Sequence, residues 1–199
     1  LERVEESFRG LMADGGALAA GAALASVALA GPLVSITFGS DYVTDGVLVV
    51  QLLSIAIFSR GLSQLLGSLM LSQGAYSGAA LFKLIEVTVF VIAVLVGVVL
   101  WELPGVAAGV STAYAVALFM RLDYARRLFA WTWGGLTRIM ARFILPWVPA
   151  AVATLAASPA SDWAQLGVGI LTFGLTAVYW YLLRAESFLR TALALRAKR

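Results

Sequence analysis

The sequence predicts an all-α integral membrane protein with six transmembrane helices, and three observations carry that prediction. Apolar residues make up 61% of the 199 residues and charged residues only 13%, with a mean hydropathy of +0.93. A soluble domain holds roughly 45–50% apolar and about 25% charged residues, so a water-soluble chain of this composition would leave its surface uncovered. The apolar residues fall in six continuous runs, each near the ~20 residues that cross a bilayer as a helix, and not in the alternating pattern of membrane strands. The charges between the runs are sorted by sign.

The runs follow in order. The first extends from about Gly15 to Phe38, is rich in Ala and Gly, and carries Gly31-Pro32 as an expected kink. The second, about Gly46 to Ser72, is interrupted by Arg60. The third covers about Ala80 to Trp101 and the fourth about Gly105 to Leu122. The fifth, about Ile139 to Ser158, contains Pro146 and Pro149, which remove helix hydrogen bonds and predict a bend. The sixth extends from about Ala164 to Leu183. Small residues four apart (Gly21/Ala25, Ala22/Ser26, Gly105/Gly109) predict close helix–helix packing, and Gly167, Gly169 and Gly174 are expected to do the same in the sixth run.

Loop charge fixes an expected orientation. With the N-terminus in the cytoplasm, the outer loops are Gly39–Asp45, Glu102–Pro104 and Pro159–Trp163, which hold Asp41, Asp45, Glu102 and Asp162 but no Lys or Arg. All 14 basic residues except Arg60 then lie on the inner side, Lys83 and Arg121 among them. The positive-inside rule therefore predicts a multi-pass protein with both ends cytoplasmic. Trp101 and Trp163 at outer helix ends, and Tyr179, Trp180 and Tyr181 at an inner one, fit the interfacial preference of amphipathic rings. The net charge of +3 follows from basic cytoplasmic loops on anionic lipid and calls for no nucleic-acid partner. Three regions result: a cytoplasmic segment over 1–14, a four-helix unit over 15–130, and two further helices with a basic cytoplasmic tail over 131–199. The opening LERVEESFRG begins at Leu1 without signal-peptide character and reads as a loop between two helices of a longer chain.

Histidine and cysteine are both absent, which excludes disulfides, Cys/His metal sites and His-based nucleophilic catalysis. An enzyme is not expected, nor a cofactor or metal. The informative residue is Arg60, near the middle of the second run. A charge at that depth costs at least roughly 2.5–3.5 kcal/mol, so it must face the bundle interior, water or a carboxylate. The acid within the membrane is Glu86 in the third run, roughly 9 Å away in depth at 1.5 Å rise per residue. Two roles fit: a structural Arg60–Glu86 pair, or a cationic group facing a polar path for an anionic substrate. Lys83, one turn before Glu86, either joins that path near the cytoplasmic mouth or snorkels to the interface. Gln64, at i+4 from Arg60, extends a polar stripe with Ser59 and Ser63, which also suits interhelical hydrogen bonding.

Two short runs carry a family resemblance. Gly31-Pro32-Leu33-Val34-Ser35-Ile36-Thr37-Phe38-Gly39-Ser40-Asp41-Tyr42 resembles the helix ending "P…(L/F)FG..Y" of polysaccharide flippases. Leu103-Pro104-Gly105-Val106-Ala107-Ala108-Gly109-Val110-Ser111-Thr112-Ala113-Tyr114 resembles their "G..GAA.AT" helix start. The spacing between the two, with Gln73-Gly74 in a short inner loop, is also similar. The resemblance covers about residues 1–130 and points to the C-terminal portion of an O-antigen-type flippase of the multidrug/oligosaccharidyl-lipid/polysaccharide exporter superfamily. Asp45 or Gly46 stands where a small residue usually follows the Tyr, and Glu86 and Thr88 stand near an expected Asn. The resemblance implies one lobe of a two-lobe exporter bundle in a prokaryotic cytoplasmic membrane, completed by N-terminal helices outside this sequence. It implies flipping of a polyprenyl-diphosphate-linked oligosaccharide by alternating access, with the lipid-linked anionic glycan and membrane lipids as partners. A multidrug cation antiporter of the same superfamily is the alternative, and a non-transporting membrane scaffold the alternative outside transport. Arg60 is not a residue of either family motif; its expected role rests on its charge and depth.

Overall fold

The computed structural model describes residues 2–156 and 161–196, with side chains described for residues 8, 10–142, 144–156, 161–179 and 181. All regular structure among them is helical: α1 (Glu2–Ala28), α2 (Ala30–Phe38), α3 (Val43–Ser72), α4 (Tyr76–Leu128), α5 (Trp133–Ile144), α6 (Val148–Ala156) and α7 (Asp162–Arg196).

Proline explains the first break. Pro32 has no N–H to offer the carbonyl four residues back, at Ala28, and the helix divides at Leu29 into α1 and α2. The freed Ala28 carbonyl accepts a hydrogen bond from Nε2 of Gln165, a buried residue in the first turn of α7, at 3.3 Å. Ser35 donates to Asp162 at 2.6 Å, so the kink is joined to the start of α7 twice.

The α3–α4 turn is built on Gly74. With φ at 73° it adopts the left-handed conformation that glycine accepts without strain. The Gly74 N–H donates to the Leu71 carbonyl and the Ala75 N–H to the Met70 carbonyl, which is the Schellman pattern. The same pattern closes α4, where Ala130 and Trp131 donate to Arg127 and Arg126. There the left-handed residue is Ala130, with φ 53°.

α4 is a hairpin. Helical geometry fails at Trp101 and Glu102, and Glu102 has φ 49° and ψ −128°. Pro104 then occupies the first turn of the second arm, where a missing N–H costs nothing. The arms, residues 76–100 and 103–128, fold back on each other with Gly97 against Gly105 backbone to backbone. A Cβ at Gly109 would come within 2.5 Å of the Ala93 carbonyl. Glycine lets the two backbones touch, and van der Waals contact is what holds helices together where no hydrophobic drive acts between them.

α3 packs most extensively on α4, and α1 lies on the other side of α3. One core cluster joins α1, α3 and α4 to α5 through Phe8, Met12, Leu62, Leu66, Leu69, Leu118, Leu122 and Leu136. Phe8, Phe129 and Trp131 stack at its end, with ring centroids 5.0–6.4 Å apart. A second cluster holds Trp147 and Phe173 in stacked contact at 6.2 Å, with Trp147 seated on Gly21 of α1. Pro146 sits in the 3-10 turn Leu145–Trp147, which separates α5 from α6, and Pro149 in the first turn of α6. α5 is amphipathic. Leu136 is buried and Ile139 and Met140 pack on the core, while Arg138 and Arg142 are exposed.

The span count differs from expectation. Among the described residues, four helical stretches are long and apolar enough to cross a membrane: Gly10–Ala28, Ser40–Ser72, Tyr76–Leu128 and Trp133–Ala156. The expected six are not all separate here. The third and fourth are the two arms of the hairpin within the one stretch Tyr76–Leu128, joined at the non-helical Trp101 and Glu102. The first is divided by Pro32. The sixth expected run, Ala164–Leu183, lies in α7, where the side chains of residue 180 and of 182–196 are outside the described residues, as are the end of the fifth run at Ser158, the start of the outer loop at Pro159, and Lys198 and Arg199 of the tail. A second correction concerns the sixth-run glycines. Gly169 packs on Leu29 and Thr154, but a Cβ at Gly167 or Gly174 would meet nothing within 4 Å, so among the described residues Gly169 alone of the three serves close packing.

Candidate functional site

Helical spacing gathers the polar residues. On α3, Arg60, Ser63, Gln64 and Gly67 stand at i, i+3, i+4 and i+7 and therefore share one face. The first arm of α4 contributes Lys83 and Glu86, one turn apart, and the second arm contributes Tyr114 and Arg121, two turns apart. These eight residues line one recess of about 150 Å³ between α3 and the hairpin. All four residues expected from the sequence, Arg60, Gln64, Lys83 and Glu86, are in it. The groove on the opposite side of α3, near Ser54, Ile55 and Phe58, holds no charged side chain.

The pairing within the recess is not the expected one. Glu86 forms no ion pair with Arg60. Its two carboxylate oxygens go to Lys83 at 2.5 Å and to Arg121 at 2.9 Å. The reason is geometric: Lys83 is one turn away on the same arm, and Arg121 reaches in from the antiparallel arm held close by Gly97, Gly105 and Gly109. Arg121 also donates through its other terminal nitrogen to the Ser63 hydroxyl and to the Ser63 carbonyl, which ties α3 to both arms. Arg60 rests over the Tyr114 ring, 5.5 Å from its centroid, a cation–π contact. It makes no hydrogen bond or ion pair with any described residue. The structural Arg60–Glu86 pair is therefore replaced by a Lys83–Glu86–Arg121 cluster, in which Glu86 is buried, Arg121 nearly so and Lys83 exposed, and by an exposed Arg60 with no ion pair.

Arg121 also leaves the class the sequence assigns it. Grouped by position with the cytoplasmic basic set, it is drawn into the bundle with its side chain only 12% exposed. Arg126 and Arg127 pair with Asp123 within one turn, at 2.8 and 2.7 Å. Arg126 lies over Trp133 at 5.1 Å. Tyr114 and Arg121 are the site residues that sequence reasoning missed. The available signal was their seven-residue spacing, which puts both on the face of the second arm that meets Glu86.

Chemically, the recess holds three cations and one carboxylate, an excess of two positive charges. Glu86 is 5% exposed, whereas Arg60, Gln64 and Lys83 are exposed. Guanidinium donors in a fork, beside an ammonium and an amide, suit an oxyanion with several oxygens. Comparison with family models, with curated proteins and with solved structures gives no match for this chain.

Proposed function

We propose that this chain is part of a membrane exporter whose α3–α4 face forms one wall of a cationic path for a lipid-linked anionic glycan. The observation that carries the proposal is Arg60. It stands on a helix long and apolar enough to cross a membrane, 12 residues before the end of α3, exposed and without a counter-ion. Hydrocarbon is excluded as its surroundings by the cost of at least roughly 2.5–3.5 kcal/mol. Water or further protein must cover this face, and the excess positive charge selects an anion as the guest.

A polyprenyl-diphosphate-linked oligosaccharide fits that guest. Its diphosphate offers oxygens to Arg60 and Lys83, and its glycan requires a wet path. The resemblance of residues 31–42 and 103–114 to polysaccharide flippases supports the same reading. On this account six membrane crossings place both ends in the cytoplasm of a prokaryote, the hairpin tip at Glu102 faces outward, and N-terminal helices of the same protein supply the opposing lobe for alternating access. Membrane lipids cover the remaining apolar faces. A cation antiporter is disfavoured by the charge of the recess, and a scaffold by the lack of an ion partner for Arg60.

The test is transport of a diphosphate-linked glycolipid in cells or proteoliposomes with Arg60→Gln. Transport is expected to fall at least tenfold while the protein accumulates and unfolds as the wild type does. Unchanged transport removes the proposal. Loss of accumulation together with transport assigns Arg60 a structural role.

A further inference from the structure

The three cations of the recess are not equivalent. Arg121 and Lys83 are both engaged, and by the same carboxylate, while Arg60 is free. Glu86 is buried and uses one oxygen on each partner, the arrangement a bridging phosphate oxygen pair would take. No other acid lines the recess. We propose that Glu86 is an internal competitor anion: it occupies the inner half of the site when the site is empty, and a diphosphate must displace it to reach Arg121 and Lys83.

This rests on the reading of the recess as an anion path and adds a division of labour to it. Arg60, held on the Tyr114 face, makes the first contact. The ligand then competes with Glu86 for the two remaining cations. Once the ligand leaves, Glu86 returns to them, so the enclosed Arg121 is not left without a counter-charge. A built-in carboxylate weakens ground-state binding by like-charge repulsion and so favours release, which a carrier requires.

A carboxylate that only positioned Arg121 and Lys83 would have the opposite effect on affinity. Its loss would let the two cations splay and would weaken anion binding. The sign of the change on neutralising Glu86 therefore decides between the roles. Glu86→Gln keeps an oxygen to accept from Arg121 and removes the charge.

The experiment is calorimetric titration of inorganic pyrophosphate into the full chain in phosphatidylcholine nanodiscs, which add no net anion. Wild type is expected to bind saturably and Arg60→Gln at least tenfold more weakly. Glu86→Gln is expected to bind about tenfold more tightly than wild type, the scale of removing one like charge a few ångströms from the ligand. If Arg60→Gln weakens binding but Glu86→Gln leaves it unchanged or weaker, the competitor role is overturned and the anion path stands. If wild type binds no pyrophosphate, or Arg60→Gln binds as well as wild type, the anion path itself fails and the inference with it. Should Glu86→Gln not fold, Glu86→Asp is the second variant. Its carboxylate is one methylene too short to hold both cations, so tighter binding supports the competitor role and equal or weaker binding overturns it.

Discussion

At the Ala28 carbonyl, two residues far apart in the chain answer each other. Pro32 withdraws the N–H this oxygen would accept, and Gln165 supplies one from its side chain. Gln165→Ala leaves a buried carbonyl without a partner and is expected to lower stability by about 1–3 kcal/mol. Pro32→Ala restores a backbone donor, so in that background Gln165→Ala should cost little; thermal unfolding of the four proteins in one detergent checks the cycle. Ala130 is a different single-residue case. It holds φ 53° to close α4, a conformation that is unfavourable for a side chain. Ala130→Gly is expected to stabilise by about 1 kcal/mol in the same assay. Both effects escape the sequence for the same reason. Pro32 announces a kink, but nothing local says which residue satisfies the carbonyl it frees. Arg60 is the contrary case: a charge in an apolar run is legible without any partner, although its neighbour Tyr114 is not.

At the level of elements, the α4 hairpin determines what the site contains. Gly97, Gly105 and Gly109 bring the arms into backbone contact, and only at that separation does Arg121 reach Glu86. Gly105→Leu is expected to cost about 1–3 kcal/mol through overpacking and to loosen the Arg121–Glu86 pair as well. Gly174→Ala, where a Cβ meets nothing within 4 Å, should be neutral. Denaturant unfolding in mixed micelles distinguishes the two. The small-residue pair Gly105/Gly109 was legible as a packing surface, and Trp101–Gly105 as an interruption. The pairing of charges was not. Depth along separate helices suggests Arg60 and Glu86 as partners, but depth carries no information on rotation about the helix axis. Arg60 turns with Gln64 toward the open side of α3, whereas Ser63 turns toward Arg121.

For the molecule as a whole, charge sorting and hydropathy were the strongest signals and predicted six crossings; the structure is helical, with four stretches among the described residues long and apolar enough to cross a membrane, one of them the α4 hairpin. The proposed six crossings need the hairpin tip outside and both ends inside. A green fluorescent protein fused after Arg199 should therefore fluoresce, and alkaline phosphatase fused after Glu102 should be active; an inactive phosphatase at Glu102 would remove the six-crossing arrangement. The central claim is that Arg60, Lys83 and Arg121 create a water-filled, anion-preferring recess, and the absence of cysteine makes it directly measurable. Gln64→Cys introduces a single thiol beside Arg60. Its reaction rates with an anionic and a cationic methanethiosulfonate reagent, each normalised to a free thiol, should favour the anionic reagent by about tenfold, and Arg60→Gln should abolish the preference. No reaction with either reagent, or a preference for the cationic one, would contradict the account.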